Sequence, residues 1–120
     1  MGEIVFDFEK LIVYKAALDL NSNIFKIYNS LSTDMKYTLG SQIIRASISI
    51  SNNIAEGNGI EHSKEKIRFY NYSLFSTREC VSMINILKKE KLVKESDFSN
   101  LRSKCFQITS MLRALIKSVK

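Results

Sequence analysis

Five polar side chains sit on otherwise apolar stretches of this chain: Gln42, Arg45, Asn53, Glu56 and, further on, Glu79. Arg45 and Glu56 are eleven residues apart, three helical turns, so on a helix they project to one side. A guanidinium with two carboxylates could hold a polar ligand, or it could form a charge-assisted network that fixes helix register or a subunit interface. The structural role is preferred, because no nucleophile, metal set or cofactor loop accompanies the charges. The one histidine, His62, has Glu65 three residues on, a candidate metal pair, but di-iron bundles need two Glu-x-x-His units. Cys80 and Cys105 lie in apolar periodic runs far from His62 in sequence, which suits reduced core thiols rather than nucleophiles or a disulfide. Gly57-Asn58-Gly59 is too short to cradle a phosphate. No catalytic residue, metal or cofactor is assigned, no small-molecule substrate is expected, and the chain does not read as an enzyme.

Basic residues gather late in the chain: Lys88, Lys89, Lys91 and Lys94, then Arg102, Lys104, Arg113, Lys117 and Lys120. From Asp97 onward there are five basic residues and one acid. Such a face either solvates a helix or binds phosphates of RNA or a nucleoprotein, and solvation is the commoner reason for lysine on a helix surface. Phe98 and Phe106 are expected to face inward, which leaves little aromatic interleaving for base stacking.

The 120 residues fit one domain, 1–120, with 45% hydrophobic and 25% charged residues, so neither disorder nor a membrane protein is indicated. No apolar run reaches the length of a transmembrane helix, and MGEIVFDFEK carries acids where an export signal would be positive, so a cytoplasmic protein is expected. The balance of 18 Lys plus Arg against 12 Asp plus Glu gives a net charge of +6, which permits an anionic partner without requiring one.

There is no proline, and two of the four glycines fall in Gly57-Asn58-Gly59, so long unbroken helices are expected. Phe98, Leu101, Cys105, Ile108, Leu112, Leu115 and Val119 follow alternating steps of three and four, a heptad seam, with Ser96 placed as N-cap. Ile67, Tyr70, Leu74, Thr77, Val81 and Ile84 form one stripe and Phe69, Tyr72, Ser76, Cys80, Met83 and Leu87 a second, with Ser63 as N-cap. Phe75 lies off both stripes and marks an exposed interface for a protein partner. Near the N-terminus Leu11, Leu18 and Phe25 share one phase and Val13, Leu20, Ile27 and Leu31 another, which predicts a wide buried face.

The segment ASISIS, residues 46–51, alternates as a half-buried strand would. A single strand would have no partner here, so a helix with a thin Ser/Ala face is expected, closed by Gly57 in a left-handed conformation. The result is four helices, roughly 7–31, 36–57, 63–91 and 97–119, in an antiparallel up-down-up-down four-helix bundle.

QIIRASISISNNIAEGNG, followed by Ser63, Glu65, Phe69, Ser76 and Glu79, resembles the signature of the bacterial four-helix-bundle family encoded in intervening sequences of 23S ribosomal RNA genes. The pattern Q-I-x-R-A-x-x-S-x-x-x-N-I-A-E-G falls on Gln42, Ile43, Arg45, Ala46, Ser49, Asn53, Ile54, Ala55, Glu56 and Gly57, and FEKLIVYKAALDL resembles the family's opening run. Tyr14 stands where the family often has Trp, and Ile50 where it often has Pro, which should leave the second helix straighter. The resemblance implies an up-down bundle assembled as a cyclic homo-oligomer, a homopentamer, with a cellular role that is largely unassigned. A related group, the accessory variability determinant of diversity-generating retroelements, shares the bundle and binds a reverse transcriptase and nucleic acid. That likeness implies the alternative of a protein-interaction adaptor.

Overall fold

With no proline in the chain, helix ends are set by capping and by packing rather than by a missing amide. The computed structural model, which describes residues 2–120, has four helices and no strand among the described residues. A short 3₁₀ turn, Asp7–Lys10, precedes α1, Ile12–Ser30, with Leu11 extended between them, so the single helix expected from residue 7 is broken there. The Glu9 carboxylate accepts from the Phe6 amide at 3.0 Å and closes this turn.

Ser32 then accepts from the Met35 amide, and Thr33–Met35, a π turn at Lys36–Gly40 and Ser41–Asn58 run on with helical dihedrals as α2. The Ile/Ser alternation is thus helical, and α2 starts three residues before the expected 36. Helix α3 is Ser63–Lys89 and α4 is Glu95–Val119. Their N-caps are His62 and Lys94, neither with a side-chain cap bond, so Ser63 and Ser96 lie inside the first turn instead of capping it.

The core is one cluster to which every helix contributes, from Val13 and Leu20 of α1 through Ile43, Ile50 and Ile54 of α2 to Ile84 of α3 and Leu112 of α4. Each helix packs on its sequence neighbour, and α1 also packs on α4, closing the ring. On α4 the heptad seam is the buried face, with Leu101, Cys105, Ile108 and Leu112 all inside. On α1 only the stripe containing Val13, Leu20 and Ile27 is buried, whereas Leu18 and Phe25 are each 44% exposed, so the wide buried face expected there is half open. The neighbours of α1 cover one side of it only.

The largest departure from expectation concerns Gly57. It adopts no left-handed conformation; the helix continues to Asn58, and no glycine among the described residues has positive φ. Gly57 serves close approach instead, since a Cβ there would lie 2.9 Å from Cε1 of buried Tyr70 and 3.1 Å from Cβ of Phe69. The helix end is satisfied by Lys66 of α3, whose ammonium donates to the carbonyls of Gly57 at 3.0 Å and Asn58 at 2.7 Å. A cation is favoured there by the helix dipole as well.

The left-handed cap occurs after α3, at Lys91 with φ of 60°. The Leu92 amide reaches the Leu87 carbonyl at 2.8 Å and the Lys91 amide the Lys88 carbonyl at 3.1 Å, a Schellman closure made without glycine. It ends α3 at Lys89 instead of the expected residue 91.

Gly57→Ala should lower stability by about 1–2 kcal/mol, because overpacking against a buried ring outweighs the helix-propensity gain of up to about 1 kcal/mol. Urea unfolding checks this, with Gly59→Ala as the control: its nearest neighbour would be 3.7 Å away, and the midpoint should hold or rise slightly.

Candidate functional site

Helix α2 meets its neighbours through hydroxyls. Asn21 of α1 donates to Ser51 Oγ at 3.1 Å and accepts from Ser47 Oγ, so one amide binds two serines of α2. On the other flank, Ser73 of α3 donates to the Ile50 carbonyl at 2.8 Å and Ser76 to Ser49 Oγ at 2.9 Å. Asn53 is half-buried beside them and donates to Ser49 Oγ at 3.0 Å and the Ser49 carbonyl at 2.8 Å. No buried side-chain polar atom among the described residues lacks a partner. Register is therefore held by neutral groups that cost little to desolvate once bonded.

Of the five polar candidates, only Asn53 enters this network. Gln42, Arg45 and Glu56 are exposed on the outer face of α2 and Glu79 is exposed on α3. No ion pair among the described residues links Arg45 to Glu56 or Glu79. The hydroxyl contacts that fix α2 on α1 and on α3 were missed from sequence, although Ser47, Ser51 and Ser73 fall at helical spacing among apolar residues, which was the available signal.

The nucleophile and metal candidates are occupied otherwise. Exposed His62 only stands at the N-cap position of α3, and the Glu65 carboxylate is bound by Arg68 Nη2 at 2.9 Å, which also raises the pKa of the Arg68 guanidinium through that hydrogen bond. No group of three or more metal-ligating side chains occurs among the described residues. Cys80 and Cys105 are free and buried; burial pushes both thiols up, Cys105 to about 12, and the neighbouring Cys105 adds to the rise at Cys80.

The basic cluster divides into three parts. Lys104 reaches across the surface to the Asp19 carboxylate of α1. Lys88 pairs with Glu95 and lies 4.8 Å from the centroid of the Phe98 ring, while exposed Lys89, Lys91 and Lys94 surround the turn between α3 and α4. The third part forms a line: Arg102, Phe106, Thr109, Arg113, Lys117 and Lys120 follow steps of four, three, four, four and three along α4. Phe106 is 74% exposed, which corrects the expectation that it faces inward. Cys105 belongs to the buried seam, so the next residue is turned about 100° away from it.

Beside this line runs a groove of about 530 Å³ between α3 and α4, lined by Leu74, Arg78, Val81, Ser82, Asn85, Arg102, Cys105, Phe106, Thr109 and Arg113. It contains three guanidiniums and no carboxylate. Asn85 fixes Arg102 by accepting from its Nη1 at 2.8 Å, and the same guanidinium lies 5.4 Å from the Phe98 ring centroid. A wider groove of about 740 Å³ lies at the start of α3, but its one carboxylate, Glu65, is already bound to Arg68.

The family profile described as 23S rRNA-intervening sequence protein matches residues 9–114. Among solved structures, the fold is similar to a crystal structure of a protein of unknown function from the S23 ribosomal protein family of Bacteroides thetaiotaomicron, with a TM-score of 0.82 and 21% identity, covering 88% of this chain and 96% of that one. At that identity the likeness concerns the fold alone. Among curated proteins nothing matches.

The buried thiols give a pH expectation. Because their folded pKa values are raised, their contribution to stability is complete below the unfolded thiol value near 8.5 and is lost as pH rises toward about 12. A thiol reagent at pH 8 should label neither cysteine in the native state and both in denaturant. Rapid native labelling of either would contradict their burial.

Proposed function

Because the chain belongs to the 23S rRNA-intervening sequence protein family, we propose that it is a non-catalytic, self-assembling helical bundle that associates with RNA or a nucleoprotein through the outer face of α4. The observation that carries this reading is the line of Arg102, Arg113, Lys117 and Lys120 with no carboxylate in the adjoining groove. Paired surface charges have already satisfied each other, as Lys104 and Asp19 have. Cations without such partners retain their attraction for phosphate.

The four helices run up, down, up and down, and the single domain assembles as a cyclic homo-oligomer, a pentamer, in the cytoplasm. Self-association is supported by the outer face of α1 and α2, where exposed Leu18 and Phe25 lie on α1. Nearby, Tyr28, Ile44 and Ile48 line a groove with Arg45. Exposed apolar side chains rimmed by polar ones are characteristic of protein interfaces. Gln42, Arg45 and Glu56, which form no ion pair among the described residues, would serve that rim better than a buried charge network. No cofactor and no small-molecule substrate enter this reading.

A second reading has its own observation. Phe75 is 64% exposed on α3, near exposed Tyr72 and Glu79 on the same face, and would suit a protein partner. The chain would then be an adaptor, of the kind that accompanies a reverse transcriptase in diversity-generating retroelements. A partner captured on Phe75 and retained after nuclease treatment would favour it over RNA binding.

Titration of labelled 23S rRNA fragments decides the main proposal. Four phosphate contacts on single-stranded segments give a slope of about −3 in a plot of log affinity against log salt, so raising salt from about 50 to 200 mM should weaken binding about 50-fold. No binding at either salt would remove the nucleic-acid role.

A further inference from the structure

We propose that the groove between α3 and α4 is a site for single-stranded nucleic acid, with Phe106 stacking an unpaired base and Arg78, Arg102 and Arg113 holding phosphates around it. The proposal rests on the nucleic-acid reading above and specifies its ligand.

Phe106 contributes nothing to the core: it is 74% exposed and stands on the groove wall. A phenyl ring held in water costs free energy unless something covers it. Its surroundings indicate what that is. One turn before it is Arg102, fixed in place by Asn85, and seven residues after it is Arg113, while Arg78 faces it from α3. At 1.5 Å per residue, Arg102 and Arg113 stand about 6 and 10 Å from Phe106 along the helix axis. Lys117 and Lys120 extend the cationic line further along α4.

The floor contains half-buried Leu74 and Val81, an apolar surface for a base or sugar, and Ser82 and Thr109 supply hydrogen-bonding groups at its edge. An aromatic platform within a positive groove is the arrangement that binds unpaired strands, because every base has a face to stack. A duplex offers the same phosphates, but its bases are stacked on each other and have no face for Phe106. Planar guanidiniums can stack on bases as well as pair with phosphate. The absence of a carboxylate from the lining makes the groove complementary to a polyanion along its length.

The test uses the full chain and two probes, a labelled 12-mer of oligouridylate and a 12-base-pair RNA duplex, followed by fluorescence anisotropy at two salt concentrations. Wild type should bind the single strand more tightly than the duplex. Phe106→Ala should weaken single-strand binding about tenfold and leave duplex affinity and the salt slope unchanged, and Phe106→Tyr should retain binding. The double variant Arg78→Ala/Arg113→Ala should instead flatten the salt slope by about 1.4. All these side chains are exposed, so thermal melts should match wild type.

If Phe106→Ala binds the single strand as wild type does, or if the two probes bind alike, the groove proposal is overturned while the basic-surface reading stands. If wild type binds neither probe, the reading beneath it fails as well. If an acidic amphipathic peptide binds with Phe106 dependence and the oligonucleotide does not, the groove belongs to a protein partner and the proposal is wrong.

Discussion

The hydrogen bond from Ser73 of α3 to the carbonyl of Ile50 in α2, 2.8 Å long and fully buried, is the contact on which the remaining arrangement depends. A short side chain can reach the main chain of another helix only if the two backbones lie close together. Small buried residues surround it, Gly57 on α2 and Ser73 and Thr77 on α3, while Ser47 and Ser51 on the other flank of α2 admit Asn21 of α1 in the same way. Leucines at these positions would drive the helices apart. Hydroxyls can occupy them because each finds an acceptor, as Thr77 does on the Ser73 carbonyl at 2.8 Å.

Close packing on one side has consequences on the other. With α2 and α3 joined through small residues, the bulky side chains of the core, among them Ile54, Ile84, Leu101 and Leu112, belong to one buried cluster within the ring. The outer faces take no part in the core. Helix α4 is the clearest case, since its seam of Leu101, Cys105, Ile108 and Leu112 is buried and the line from Arg102 to Lys120 faces outward. One heptad pattern thus positions both a structural face and a charged one.

Features that depend on periodicity were legible in the sequence. The four helices and the α4 seam follow from spacing, the helical character of ASISIS from the lack of any partner for a lone strand, and family membership followed from QIIRASISISNNIAEG. Features that depend on which chain segments become neighbours were not. Nothing local marks Lys66 as the cap of a helix that ended eight residues earlier, at Asn58, or Lys91 as a left-handed residue where glycine would be expected. Gly57 was read as a local turn signal, although its small size is needed by Tyr70 on another helix. Phe106 was readable and misread, because one step from a seam residue is about 100° away from the core. Of the five polar candidates, spacing placed Arg45 and Glu56 on one face of α2 correctly, but not that this face would be the outer one.

The central physical claim is that α2 and α3 are joined through a contact with no room for a larger side chain. Ser73→Leu tests it most directly, because the substitution adds bulk and removes a bonded hydroxyl at one fully buried position. Equilibrium urea unfolding should show a loss of at least about 2 kcal/mol, from overpacking together with the lost hydrogen bond. A variant as stable as wild type, gaining from the added apolar surface, would contradict it.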